Sequence, residues 1–393
     1  MKTIKSLRLD GLLSFAPGSE KFELGPLNVL IGPNGSGKSN VVEAIQLLQA
    51  APSSFASAIR DGGGPREWLW KGSHPADSAS LEAVLGADTP TDRPLLYWLK
   101  FGSSQGRVEV LDEALEETEP TSGEKDVYFY YRFQGGNPVM NVKGTRGFGL
   151  RRHLKRDTLA LGESVLAQRK DPELYPEVTS VGERLVAIQV FREWSFGRYA
   201  LLRQPQSADL PEDRLLPDSR NLALLLNQIE HRDGRSLNEF IRRFFPRFDR
   251  MSTRVTGGTV QFYLHETNFQ TPIPATRLSD GTIRFVAILA TLLAPSPPPL
   301  VCIEEPALGL HPDAVALVGE LLVRASHQMQ LVVTTHSDAL VSALTDSPDV
   351  IVACERPGEA TELRRLEPER LAGWLEDYRL GDLWRMGELG ANP

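Results

Sequence analysis

The sequence predicts an α/β fold in which a mixed central sheet and an antiparallel β subdomain are interrupted by a helical and β-rich insertion lobe. Three observations predict it. A short, nearly all-apolar run, Leu27 to Ile31, feeds a glycine-rich loop and then an amphipathic segment, which is the order of a parallel-sheet unit. The same alternation of helix and strand signals returns from Leu278 onward. Between the two lie short strand candidates separated by acidic or glycine-rich turns. The expected organisation is a split core of residues 1–55 and 256–393, with residues 56–255 inserted.

Taken in order, Thr3 to Leu9 alternates polar and apolar residues, and Lys21 to Leu24 follows a turn at Pro17-Gly18, as an antiparallel pair at a sheet edge would. Leu27 to Ile31 reads as a strand buried on both faces. Asn40 to Gln49 places Val41, Ile45 and Leu48 on one helical face. Gly62-Gly63-Gly64-Pro65 marks a loop, and Leu95 to Phe101, Arg107 to Leu111 and Val127 to Phe133 are strand candidates. Leu185 to Phe191 reads as a further strand. Pro217-Asp218-Ser219 precedes an amphipathic helix bearing Leu222, Leu225, Leu226 and Ile229, and Ser236 to Phe245 predicts a second helix. A helix through Leu293, a Pro-rich break, a strand Leu300 to Ile303, a helix Pro312 to Ala325 and a strand Leu331 to Thr334 complete the α/β part. Val350 to Ala353 and Thr361 to Leu363 pattern as a hairpin about Pro357-Gly358. No heptad run or internal repeat occurs.

Composition narrows the class. The chain has 393 residues, 41% hydrophobic and 24% charged, with a net charge of −8, so a whole-protein basic footprint for nucleic acid is excluded while a local patch is not. The two cysteines, Cys302 and Cys354, lie in apolar strand-like runs and read as small buried hydrophobes. No disulfide framework is implied, which suits a reducing, cytoplasmic setting. The longest apolar stretch, Phe285 to Ala294, is too short for a bilayer span, so membrane insertion is not expected.

Gly32-Pro33-Asn34-Gly35-Ser36-Gly37-Lys38-Ser39 matches the G-x-x-x-x-G-K-[S/T] phosphate loop of P-loop NTPases in its strand–loop–helix setting, and Asn40, which adjoins it, is expected among the nucleotide-binding residues. The glycines let backbone N–H groups turn toward phosphate oxygens. The helix N-terminus adds partial positive charge, Lys38 reaches the β- and γ-phosphates, and the Ser39 hydroxyl ligates Mg2+. No Asn-Lys-x-Asp guanine-reading motif occurs, so ATP is the expected nucleotide.

Val301-Cys302-Ile303-Glu304-Glu305-Pro306 is an apolar strand ending in two acids. Glu304 is assigned to Mg2+ and Glu305 to polarising the attacking water. Val332-Val333-Thr334-Thr335-His336-Ser337 ends another strand, placing His336 at the carboxyl edge of the sheet beside the γ-phosphate. Leu278-Ser279-Asp280-Gly281-Thr282 opens a helix. Read alone it is a helix cap; as a second anion site, with Lys38 already on the phosphates of its own subunit, Ser279 and Gly281 would serve in trans.

Together these pieces resemble the ATP-binding-cassette (ABC-type) ATPases, and more narrowly the RecF/OLD/SMC-type heads with their bacterial "AAA family ATPase" group. The resemblance rests on Leu27 to Asn40, Leu278 to Leu293, Val301 to Ser337 and the run Glu304-Glu305-Pro306-Ala307-Leu308-Gly309-Leu310-His311-Pro312, which is similar to a D-loop. The signature reads Ser-Asp-Gly where transporters have Ser-Gly-Gly, and Glu304 stands where Asp is usual. The resemblance implies ATP and Mg2+ as cofactors, ATP hydrolysis, and an ATP-dependent homodimer whose heads sandwich two nucleotides. It also implies a molecular switch in DNA repair or anti-phage defence, with DNA or a separate nuclease-like effector as partner. The alternative is the nucleotide-binding subunit of a transporter, but the stretch from Ser39 to Leu278 is too long for the small helical lobe such subunits carry. About 55 residues follow Ser337, too few for a built-in nuclease.

Other assignments stay open. Gln189 is a candidate Q-loop glutamine and Phe15 a candidate adenine contact or packed edge residue. Arg151, Arg152, Lys155 and Arg156 form one basic stretch. Arg242, Arg243, Arg247, Arg250 and Arg254 interleave with Phe244, Phe245 and Phe248 in another. Each reads either as phosphate contact with stacking or as a solvated face whose aromatics pack.

Overall fold

The computed structural model describes residues 3–87, 93–120, 123–134, 137–142, 150–154 and 159–391, without the side chains of 134 and 150–153. Along the chain run β1 (Ile4–Asp10), β2 (Phe22–Glu23), β3 (Leu27–Ile31), α1 (Lys38–Ala50), α2 (Phe55–Asp61) and α3 (Pro65–Trp68). Next come β4 (Ser78–Leu85), β5 (Leu95–Ser104), β6 (Arg107–Glu117), β7 (Phe129–Gln134), β8 (Asn137–Val142), β9 (Leu150–His153), α4 (Val165–Gln168) and α5 (Pro176–Val186). Then follow β10 (Gln189–Phe191), β11 (Gln206–Ser207), α6 (Leu222–Phe244), β12 (Phe248–Thr256), β13 (Thr259–Glu266), β14 (Ile273–Pro274) and α7 (Asp280–Leu292). The chain closes with β15 (Leu300–Glu304), α8 (Pro312–Ala325), β16 (Gln330–Thr334), α9 (Asp338–Ser342), β17 (Ile351–Glu355), β18 (Glu362–Arg365), α10 (Pro368–Leu371) and α11 (Leu380–Met386).

Two compact units divide the chain. The first comprises Met1–Pro26, Pro33–Ile188 and Cys354–Arg364; the second comprises Leu27–Gly32, Gln189–Ala353 and Arg365–Pro393. In the first unit the described strands form an eight-stranded sheet in the order β2-β1-β4-β5-β6-β7-β8-β9, with every pairing antiparallel. Antiparallel neighbours can be joined by two-residue turns, and Gln105-Gly106, both at positive φ (51° and 79°), link β5 to β6 in this way. On β5, Tyr97, Leu99 and Phe101 alternate inward, and Phe101 meets Phe55 of α2 edge-on at 5.4 Å.

In the second unit β10, β15, β16, β3 and the Ile351–Ala353 part of β17 lie side by side, all parallel. Parallel strands need crossovers that cover both faces, which is why Leu27–Ile31 and Gln330–Thr334 are buried throughout. A smaller antiparallel sheet, β11-β13-β12 with β14 on β13, packs with α6 through Phe262, Leu264, Leu225 and Ile229. Among the described residues, no helix is long and apolar enough to cross a membrane.

Three local expectations change. The strand expected over Leu185 to Phe191 is confined to Gln189–Phe191, because Pro176 starts a helix whose buried face carries Val178, Val181 and Leu185. The two helices expected around Leu222 and Ser236 are one, α6, kinked at Asp233 (φ −143°, ψ 52°). Its N-cap is Asn221 rather than the Asp218-Ser219 pair. The Asn221 amide makes no helix cap; it donates to Pro211 O and Arg214 O at 2.7 Å each and so holds the preceding loop.

Candidate functional site

The phosphate loop leaves β3 at Gly32 and continues in the first unit from Pro33. Gly35 and Gly37 have φ of 79° and 102°, a region costly for any residue with a Cβ. At Gly37 a Cβ would also lie 2.2 Å from Thr361 Oγ1 and 2.8 Å from Ser14 Oγ. Gly37 is the N-cap of α1, and no side chain caps this helix start, so its backbone polarity is available to an anion. Lys38 is buried and arches back over its own loop, donating from Nζ to Pro33 O at 2.9 Å. The buried Ser36 hydroxyl has no hydrogen-bond partner among the described residues. Pro33, Asn34, Gly35 and Ser39 are exposed. Asn40 donates from Nδ2 to Ser14 Oγ at 2.7 Å, which commits its amide to the protein.

In the second unit the parallel register aligns Glu304 of β15 with Thr334 of β16, and Thr334 with Leu30 of β3. Because all three strands run the same way, Glu305, Thr335 and Ile31 come next, and Gly32, Glu305 and His336 all emerge at one carboxyl edge. Thr335 N donates to Leu30 O at 3.1 Å and Glu305 N to Thr334 O at 3.0 Å, which pins those exits. Glu305 adopts φ 48°, a left-handed conformation rare for a long acidic side chain. Its Oε2 accepts from His336 N at 3.2 Å, and His336 Nε2 lies 3.8 Å from Oε1. Glu304 Oε2 is 3.3 Å from Arg192 Nε, whereas Glu304 Oε1 is buried with no hydrogen-bond partner among the described residues. Burial pushes the neighbouring Cys302 thiol far above its usual range. Burial also pushes Cys354 up to about 12 while the Lys38 charge pulls it down, so both thiols stay neutral.

The start of α7 is organised by a side chain that sequence reading missed. Ser279 caps the helix by accepting from Thr282 N at 3.1 Å. Behind it, Arg203 is 2% exposed and donates to Phe196 O (2.8 Å), Ala275 O (3.2 Å), Leu278 O (2.6 Å) and Asp280 Oδ1 (2.5 Å). Arg203 and Arg192 carry no motif; only the fold reveals what they touch. The same holds for Ser14 and Thr361.

The remaining candidates separate. Gln189 pairs with Val301, at the amino end of β15 and three residues before Glu304, and its Nε2 donates to Leu215 O at 3.2 Å. At about 3.3 Å per residue it lies roughly 10 Å from the acidic edge. Phe15 is buried. Phe244 stacks on Phe285 at 4.3 Å and Phe248 is buried, so neither is a platform for bases, while Arg243 is engaged by Glu320. The side chains of Arg151 and Arg152, and Lys155 and Arg156 altogether, lie outside the described residues.

The chain is also similar to known proteins. The family model described as "AAA domain, putative AbiEii toxin, Type IV TA system" matches residues 27–342. The chromosome partition protein Smc of Rhodopirellula baltica is 30% identical over 120 residues, 28% of this chain and 10% of that protein, so the match spans a tenth of that relative's length. Among solved structures, an Smc head bound to the C-winged helix domain of ScpA aligns with a TM-score of 0.59 at 15% identity, covering 94% of this chain and 99% of that one. The Smc head from Pyrococcus furiosus, with an extended coiled coil and bound to the C-terminal domain of ScpA, aligns at 0.57 and 14% identity, covering 96% and 99%. At such identities the likeness is one of fold.

Proposed function

The chain belongs to the AAA_21 family of AAA domains, and from that premise we propose that it is an ABC-type, SMC-like ATPase that hydrolyses Mg-ATP and works as an ATP-gated dimeric switch. The observation that carries the reading is the register that brings Gly32, Glu304, Glu305 and His336 to one edge of a parallel sheet. Gly32 to Ser39 hold the phosphates through backbone N–H groups and Lys38, and Asn40 steadies the helix behind them. Ser39 and Glu304 would hold Mg2+, whose charge would offset that of the phosphate oxygens. The buried Oε1 of Glu304, without a hydrogen-bond partner among the described residues, supports that role for the acid.

Glu305 would orient a water toward the γ-phosphate, and His336, whose backbone N–H donates to Glu305, would assist beside it. Ser279 and Gly281 would act on the nucleotide of a second copy. The family's toxin–antitoxin description and the chromosome-partition relative both favour action with a partner, either an effector in anti-phage defence or DNA in repair. The Smc heads crystallised with ScpA domains favour a protein partner.

The test uses Glu305→Gln with saturating Mg-ATP on size-exclusion chromatography with light scattering. It is expected to accumulate as a dimer that the wild type forms only transiently. Lys38→Ala is expected to lose ATP binding. A Glu305→Gln protein that stays monomeric, or a Lys38→Ala protein with wild-type ATP affinity, overturns the reading.

A further inference from the structure

We infer that Ser14 and Thr361 are positioning residues that hold the phosphate loop in its binding shape before nucleotide arrives. The inference rests on the loop's proposed role in holding ATP. Both side chains are buried, at 7% and 4% exposure, inside the first unit, and Thr361 is 325 positions away from the Ser36 carbonyl it contacts. Three contacts join them to the loop. Asn40 Nδ2 lies 2.7 Å from Ser14 Oγ, Ser14 Oγ 2.7 Å from Thr361 Oγ1, and Thr361 Oγ1 2.8 Å from Ser36 O.

An amide N–H can only donate and a carbonyl oxygen can only accept. Ser14 Oγ therefore accepts from Asn40 Nδ2, and it also accepts from Thr361 Oγ1, whose single proton is shared between Ser14 Oγ and Ser36 O. The relay of contacts runs Asn40 to Ser14 to Thr361 to Ser36. It closes a bridge over Gly37, joining the residue before that glycine to the first turn of α1. A second bond, Thr361 N to Ser14 O at 2.8 Å, fastens the two supports to each other.

The bridge bears on binding because Gly37 holds φ 102°, a conformation glycine leaves readily when nothing enforces it. An unclamped loop would have to be ordered when phosphate binds, and that ordering weakens affinity. Thr361 also leaves no room for a Cβ at Gly37, so it fixes both the hydrogen bonding and the shape of the turn. The same hairpin turn has an independent tether: Glu359 accepts from Ser73 N and Ser73 Oγ, both at 2.8 Å. Removing that tether loosens the turn without touching the relay.

The experiment measures Mg-ATP affinity by titration calorimetry, and thermal stability by circular dichroism, on the full chain. Thr361→Val keeps the shape and removes the hydroxyl, stranding the Ser36 carbonyl and taking a donor from Ser14 Oγ; it is expected to weaken ATP binding about tenfold or more. Thr361→Ser is expected to restore affinity to within about twofold, since it returns the hydroxyl. Glu359→Ala is expected to bind ATP like the wild type even if its melting temperature falls. Wild-type affinity in Thr361→Val, failure of Thr361→Ser to rescue, or equal weakening by Glu359→Ala overturns the inference. Should Thr361→Val not fold, Ser14→Ala breaks the relay from the other side and carries the same expectations. Lys38→Ala is run alongside. If it too binds normally, the reading of the loop as the ATP site fails; if it alone loses binding, only the relay does.

Discussion

The acid Glu113 makes the stability of the first unit pH-dependent in a direction opposite to that of most carboxylates. It is 1% exposed on β6, and its burial raises its pKa from 4.5 to about 7. Ser164 Oγ (2.5 Å) and Tyr97 OH (2.7 Å) donate to Oε1 and Val165 N (2.8 Å) donates to Oε2, which limits the rise without cancelling it. Below about pH 4.5 folded and unfolded chains both hold the proton. Between there and about pH 7 the unfolded chain releases it while the folded chain keeps it, so stability falls as pH rises. Above about pH 7 the loss is complete, at roughly 1.4 kcal/mol per pKa unit or about 3 kcal/mol in total. For a unit of this size that corresponds to about 6–12 °C in melting temperature. The assay is thermal unfolding at intervals from about pH 5 to about pH 8, comparing wild type with Glu113→Gln, which cannot titrate. The difference between the two curves cancels the histidines and should narrow or reverse as pH rises. Curves that stay parallel across the window refute the assignment.

Two further outcomes follow from charges that only the fold brings together. Arg192→Gln removes the counter-charge of Glu304 and should lower thermal stability in EDTA by about 1–3 kcal/mol, with a larger recovery on adding Mg-ATP than the wild type shows; an unchanged melting temperature in EDTA contradicts this. Arg203→Met strands three carbonyl oxygens and should cost about 3–5 kcal/mol in denaturant unfolding, whereas Asp280→Asn, at the exposed end of the same pair, should cost under about 1 kcal/mol. Equal losses in the two variants would locate the stabilisation in the ion pair and not in the carbonyls.

What could be read from the sequence was whatever is written in consecutive residues. β3, the phosphate loop and α1 form one uninterrupted stretch, and Glu304 and Glu305 follow a four-residue apolar run, so both were legible from local pattern. Leu185 to Phe191 was misread because a mostly apolar run suits a buried strand and a helix end equally well, and Pro176 decided between them from nine residues upstream. The arginine–phenylalanine stretch looked like a binding face because composition does not say which way a ring points; Phe244 turns onto Phe285. Ser14, Thr361, Arg192 and Arg203 were illegible for a different reason. Each is an ordinary residue given its task by a partner that is distant in sequence or is a backbone carbonyl, and no spacing rule encodes that.

Glu305 shows how fold and chemistry can ask different things of one position. The chain must turn sharply as β15 ends, and at φ 48° the backbone alone would favour glycine or asparagine. A glycine there would relieve about 1–2 kcal/mol of steric cost and make the protein more robust, yet it would erase the acid facing His336. Glutamine keeps the strain and loses only the charge, which makes it the cleaner probe of catalysis. On the proposed role of Glu305, a screen for thermostability alone would therefore drift toward inactive protein at this residue, and a stabilised variant carrying glycine there should be suspected before it is celebrated.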